Sequence, residues 1–109
     1  MAKMKNFWFD PTTVKTAALT AAPGETYVLT GLDLTCTGIV DSVVFSMTLW
    51  DASESAERSF ASNVAIPAGS VLTWDTKIVL EPGDELRIVA SADNTLNMIG
   101  CYLVLDAAA

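Results

Sequence analysis

The chain of 109 residues contains no histidine. This removes the side chain that most often serves as general base, zinc ligand and pH switch near neutrality. Ser-His-Asp and Cys-His nucleophilic sites cannot be built from this chain alone. Positive charge is also scarce, with six Lys and Arg against thirteen Asp and Glu and a net charge of −7. The six cations (Lys3, Lys5, Lys15, Arg58, Lys77 and Arg87) are scattered along the sequence. No basic face exists to displace counterions from phosphates, which argues against nucleic acid as a partner. An anionic membrane surface is disfavoured for the same reason. Charged residues make up 17 % and hydrophobic residues 51 %, against roughly 25 % charged in an average soluble domain. Yet no apolar run approaches the ~18 residues of a membrane-spanning helix. The composition is that of a compact apolar domain whose surface is not wholly polar, which points to assembly.

Cysteine is limited to Cys36 and Cys101, and no CxxC pair occurs, so a zinc ribbon or thioredoxin-type site is excluded. Both lie in apolar strand patterns and read first as buried thiols behaving as small hydrophobes. A disulfide between them and a reactive thiol are the other readings. The opening MAKMKNFWFD has lysines but no signal-peptide apolar core, so folding in a cytosol is expected. Phosphate-cradling GxGxxG and GxxxxGK loops are absent, as is the DxDxDG pattern of a calcium loop. The carboxylates Glu54 and Glu57 read as solvated loop charges, Asp84 as a turn stabiliser, and Asp51, Asp75 and Asp93 as a weak calcium set. No catalytic residue, metal site or cofactor emerges.

The sequence does contain strands. Turn signals recur at Ala22-Pro23-Gly24-Glu25, Pro67-Ala68-Gly69-Ser70 and Glu81-Pro82-Gly83-Asp84, where Pro fixes φ and Gly accepts a positive one. Between them lie β-type runs at 13–20, 27–36, 42–50, 58–66, 71–74, 77–80, 86–90 and 97–106. The clearest alternation places Val43, Phe45, Met47 and Leu49 on one face of 42–50, with Trp50 on the other. In 27–36 the same rule puts Val28, Leu32, Leu34 and Cys36 together. In 58–66, Phe60, Val64 and Ile66 point inward. The run 97–106 is apolar on both faces, and so predicts a strand buried on both sides. About eight strands with turns every 8–12 residues predict a single antiparallel β-sandwich, jelly-roll or Ig-like in order, over residues 12–106. Residues 107–109 are expected to fray.

Residues 1–11 read as an extended N-terminal arm. Phe7, Trp8 and Phe9 cannot all face one core from an extended chain, because side chains alternate. At least one must face solvent or a neighbour. Either the arm packs on its own domain, or it is mobile alone and docks on an adjacent subunit, and the second is the stronger expectation. Trp50 and Trp74 are each either a stacking platform for a sugar ring or an interface anchor. With no other sugar-type polar cluster nearby, the interface is favoured. Phe7, Trp8, Phe9, Trp50 and Trp74 form the candidate interface set.

The second half of the chain runs Ile66-Pro67-Ala68-Gly69, then Lys77-Ile78-Val79-Leu80-Glu81-Pro82-Gly83-Asp84, then Ala90-Ser91-Ala92 and a closing strand. In this order it resembles a family of small virion proteins of tailed bacteriophages. The earlier VLTGLDLTCTGIVDSVVFSMTLWD looks like that family's paired first strands, and coverage is roughly residues 26–106. The resemblance implies a non-enzymatic structural component in the virion, assembled in the host bacterial cytoplasm. Its partners would be copies of itself and other virion proteins such as the major capsid protein or neck and tail proteins. Capsid decoration or cement is the leading placement, and a neck or tail collar or adaptor is the alternative. A carbohydrate-binding sandwich is the rival from another class.

The alternation in 42–50 yields a test. Phe45→Ala is expected to cost about 3–5 kcal/mol, read as a large drop in melting temperature. A melt close to that of the parent would place Phe45 outside the core.

Overall fold

The structure, a computed structural model, describes residues 3–75 and 77–106. The expected tail 107–109 and the first two residues of the arm lie outside the described residues. Among the described residues nine strands follow one another without a helix: β1 (Lys3–Phe9), β2 (Thr16–Thr20), β3 (Glu25–Cys36), β4 (Val43–Asp51), β5 (Ala56–Ile66), β6 (Val71–Trp74), β7 (Ile78–Leu80), β8 (Glu85–Ala90) and β9 (Leu96–Asp106). They form two antiparallel sheets, one in the order β1-β9-β3-β6 with β7 also on β3, the other in the order β2-β8-β4-β5. We call these sheet A and sheet B.

The pairings nest. β1 pairs β9, β2 pairs β8, β3 pairs β6 and β7, and β4 pairs β5. A chain whose outer strands pair around its inner ones is one long hairpin. Rolling that hairpin so that β9 also meets β3, and β8 also meets β4, gives two four-membered layers, the pairing of a jelly roll. β6 and β7 share one place in it. β6 runs along Leu32–Thr35 and β7 along Tyr27–Leu29, on the same edge of β3.

The core lies between the sheets. From sheet A it receives Leu29, Leu32, Leu34, Leu96 and Met98, and from sheet B Val43, Phe45, Met47, Leu86 and Ile88, all buried. The alternation expected for 42–50 holds: Val43, Phe45 and Met47 are buried and Leu49 is half-buried.

In β3 the phase changes. The ladder with β9 shifts register between Leu29 and Gly31. A bulge adds one residue and moves every earlier side chain to the other face. Tyr27 and Leu29 are therefore buried, and Val28, expected beside Leu32 and Leu34, is turned outward.

The arm expected over residues 1–11 is instead the first strand of the roll. All seven residues of β1 are paired with β9, from Lys3↔Val104 to Phe9↔Met98. The reason is Gly100. A Cβ built there would lie 2.7 Å from Phe7 Cε1, 2.7 Å from Leu32 Cδ2 and 2.9 Å from the Gly31 carbonyl oxygen. Without a side chain, Gly100 opens a slot through which Phe7 enters from the sheet edge. Its ring meets Tyr102 edge-on at 5.8 Å, and Tyr102 in turn packs on Tyr27 at 4.7 Å.

At one end of the roll Asp84 ties three turns together. Its buried carboxylate accepts from the Ala52 and Glu81 amides, both at 3.0 Å. Its backbone carbonyl accepts from Ala21 at 3.0 Å. Gly83 beside it holds φ at 89°. The turn role expected for Asp84 is thus observed.

These contacts reverse the expectation for the arm. Removing residues 1–9 should lower the melting temperature of the isolated domain by at least about 4 °C, which corresponds to ~1 kcal/mol in a domain this size. Gly100→Val should do the same by closing the slot, at about 1–3 kcal/mol. Thermal unfolding followed by circular dichroism checks both, and an unchanged melt would return β1 to the status of a detached arm.

Candidate functional site

The two outer faces of the sandwich differ in chemistry. On sheet B, the residues of β4 and β8 that point away from the core carry a charge network. Arg87 donates from Nε to Glu85 at 2.8 Å and from Nη1 to Glu57 at 3.1 Å, and Lys15 reaches Glu57 at 2.7 Å. The Arg87 guanidinium also lies 4.5 Å from the centroid of the Trp50 ring, a cation–π contact. The hydrogen bond from Lys15, aided by Arg87, holds the Glu57 carboxyl below its ordinary range. Arg87 is raised by the bonds to Glu85 and Glu57. Glu57 is exposed, as expected from sequence, but it lies on strand β5 within an ion-pair network and not in a loop.

On sheet A many outward residues are apolar, although Asn6, Asp33, Thr73 and Asn97 face out as well. Met4, Leu103, Val28 and Val79 form one row across β1, β9, β3 and β7, because they are register partners in turn. A second row begins Trp8–Ile99 and ends Asp33–Thr73, closed by a 3.1 Å hydrogen bond from Thr73 to Asp33. Trp8 is 74 % exposed, Ile99 59 % and Met4 57 %. Between the rows, Asn6, Cys101 and Gly31 are aligned, and the missing side chain at Gly31 leaves a shallow hollow of about 230 Å³. The strand 97–106, expected to be buried on both sides, is buried on one. Its second apolar face is open in the single chain.

The structure scatters the five residues of the candidate interface set. Phe7 and Phe9 turn inward and pack against the core, and Trp8 turns outward on sheet A. Trp50 sits on sheet B beneath Arg87. Trp74 lies between the sheets, edge-on to Phe60 at 5.6 Å, with its Nε1 buried and without a partner. Both indoles read from sequence as sugar platforms or interface anchors are thus engaged within the domain. Sequence reasoning missed Met4, Val28, Val79, Ile99 and Leu103 as members of one surface. The available signal was the two-faced apolar pattern of 97–106.

Both cysteines are free. Cys36 faces the core and is buried, whereas Cys101 is half-buried on the outer face, 3.1 Å from the Thr30 hydroxyl. Opposite faces of one sheet separate the two sulfurs, so the alternative of a bond between them fails. Cys101 also departs from the expectation of two buried thiols. Among the described residues no three His, Cys, Asp or Glu side chains converge as metal ligands.

No protein-family model and no curated protein matches the chain in sequence. Solved structures match its fold. A chain of the T13 IBDV viral particle superposes with a TM-score of 0.56 at 16 % identity, over 94 % of this chain and 30 % of that one. A chain of the acid-stable capsid of Helicobacter pylori bacteriophage KHP30 gives 0.57 at 8 % identity, over 98 % and 89 %. A chain from the disulfide-linked pili of Bacillus endospore appendages gives 0.58 at 6 % identity, over 97 % and 87 %. This chain therefore spans about a third of the IBDV chain's length. The likeness is one of fold: a β-sandwich of the type found in viral capsids.

The network on sheet B predicts a pH response. Glu57 has a lowered folded-state pKa, so its contribution to stability is present above the ordinary carboxylate range and is lost as pH falls through the lowered value. Glu57→Gln should melt below the parent at pH 7, by no more than the ~1 kcal/mol typical of exposed pairs. The two should converge in strong acid. A difference that persists at low pH would show that Glu57 acts through packing.

Proposed function

We propose that the chain is a non-enzymatic structural subunit of a virus particle. Specifically, it is a tailed-bacteriophage accessory subunit that decorates or cements the capsid surface, with copies of itself and the major capsid protein as partners. The observation that carries this reading is the outer face of sheet A. A row of apolar side chains across four strands, with exposed Trp8 and Ile99 in the next outward apolar positions of β1 and β9, is the kind of exposed apolar surface that marks an interaction site. Tryptophan in such a band is the residue type most enriched among energetic anchors. The jelly-roll pairing supports the reading, since that fold builds many capsid proteins, as does the resemblance of residues 26–106 to small phage virion proteins. Fold alone does not make function; the open apolar face is what turns a shared fold into an argument for assembly. A neck or tail collar would use the same face, and the part of the particle with which the chain co-purifies separates the two placements.

Association should bury Trp8, Ile99 and Cys101 together. Trp8→Ser with Ile99→Asp is expected to weaken assembly by about 30-fold or more, the loss of a ~2 kcal/mol anchor, with little change in the melt of the single subunit. Cys101 should react with a thiol reagent in dilute subunit and be protected in the assembled form. Analytical ultracentrifugation and timed labelling read these out. Equal assembly by the double variant, or equal labelling of Cys101 in both states, overturns the reading.

A further inference from the structure

Two features remain outside the sheet-A face. The first is the loop between β3 and β4. Its tip carries Ile39, 93 % exposed, and Val40, 81 % exposed, followed at once by Asp41. The loop base is held. Thr37 donates from its amide to the Thr95 carbonyl at 2.9 Å and from its hydroxyl to Asn94 at 3.3 Å, and the Cys36 thiol lies 3.6 Å from the Asp41 carbonyl. At Gly38 the neck is so narrow that a Cβ would stand 2.9 Å from the Asp41 carbonyl oxygen. Two aliphatic side chains and a carboxylate are thus presented on a closed neck.

The second feature is a groove of about 300 Å³ on the flank where β5 of sheet B faces β6 and β7 of sheet A. Its floor is Leu49, Phe60, Trp74 and Ile78, its rim carries Arg58 and Lys77, and it touches the sheet-A row only at Val79. On the same edge of β3, β6 ends at Trp74 and β7 begins at Ile78. The volume lies at the low end for small-ligand sites and suits a pair of aliphatic side chains. Among the described residues neither Arg58 nor Lys77 forms an ion pair. Two of only six cations in a chain of net charge −7 thus flank one apolar groove.

We infer that Ile39, Val40 and Asp41 of one copy dock into this groove of a second copy, the aliphatic tip on the Phe60–Trp74 floor and the Asp41 carboxylate against Arg58 and Lys77. The pieces match in polarity, and the apolar contact and the ion pair come from one three-residue segment. A chain cannot satisfy its own groove. The groove lies beside Leu29 and Leu32 of β3, whereas the loop leaves β3 after Cys36, roughly 13–23 Å further along the strand. The contact joins two different patches and so propagates head to tail, closing as a ring or running as a filament.

This inference rests on the reading of the chain as a self-assembling subunit, and the test separates the two. The full chain is examined by sedimentation velocity and electron microscopy, with Ile39→Asp, Asp41→Lys and the pair Arg58→Glu/Lys77→Glu. All four positions are exposed, and thermal melts verify that each variant folds. Each change should weaken association by about tenfold or more. Combining Asp41→Lys with Arg58→Glu/Lys77→Glu should restore much of it. A disulfide between copies carrying Ile39→Cys and Lys77→Cys should form only in the assembled state. Assembly unaffected by these variants, or a charge reversal that fails to rescue, overturns the loop-in-groove contact while leaving the sheet-A face as the assembly surface. A parent chain that stays monomeric at every concentration overturns both.

Discussion

Sheet A hangs on the ladder between β3 and β9, its two longest strands at 12 and 11 residues. Every other member of that sheet attaches to one of them: β1 to β9, and β6 and β7 to β3. The ladder must do this without side-chain collisions, and Gly100 on β9 makes it possible by leaving room for Phe7. Gly31, opposite Cys101, stands at the bulge. The bulge re-aims the first half of β3 so that Tyr27 enters the core beside Tyr102. Phe7, Tyr102 and Tyr27 then form one aromatic line beneath the sheet, from the edge strand to the centre. Apolar burial of this kind is non-directional and proportional to area; Gly100 and the bulge decide where it falls.

The same ladder produces the difference between the two outer faces. A strand that is apolar on both sides has to place one side in the core and leave the other to something else. In β9 the inner side is Leu96, Met98, Tyr102 and Val104, and the outer side is Ile99, Cys101, Leu103 and Leu105. In β8, its counterpart in sheet B, the inner side is Leu86, Ile88 and Ala90, but the outer side carries Glu85 and Arg87. One strand is built to be covered twice and the other once. An ion-pair network resists burial because both charges lose hydration, so sheet B is the face suited to water and sheet A the face suited to a neighbour.

Much of this was legible in the sequence because strands write their orientation with a period of two. All eight runs picked out over 13–106 became strands, and the turns fell at the Pro-Gly pairs. Strand order was not legible, since nesting is set by contacts far apart in sequence. The arm was misread for a related reason: Lys3 to Phe9 look solvent-facing alone, and only Gly100, some ninety positions later, supplies the slot that recruits them. Val28 was misplaced because a bulge breaks the period without leaving a motif. Of the candidate site residues, Trp8 faced outward as alternation demands for one of three adjacent aromatics. Trp50 and Trp74 were engaged by Arg87 and Phe60, partners that no spacing rule could pair with them.

An assembly that closes in two dimensions needs more than one kind of contact. A single head-to-tail contact yields a ring or a filament, and a single self-complementary patch yields a dimer. The sheet-A face and the β5–β7 groove adjoin only at Val79, and the loop at Ile39 projects from a third place. The sheet-A face is broad and nearly flat, with its hollow at Gly31, and suits extensive apolar contact against another surface. The groove is narrow, rimmed by cations, and suits one short segment. Distinct geometry keeps the two contacts from competing for the same partner, which is the condition for a chain to add neighbours in more than one direction. In the proposed assembly, one core and two such unlike surfaces would let each copy meet neighbours in more than one direction.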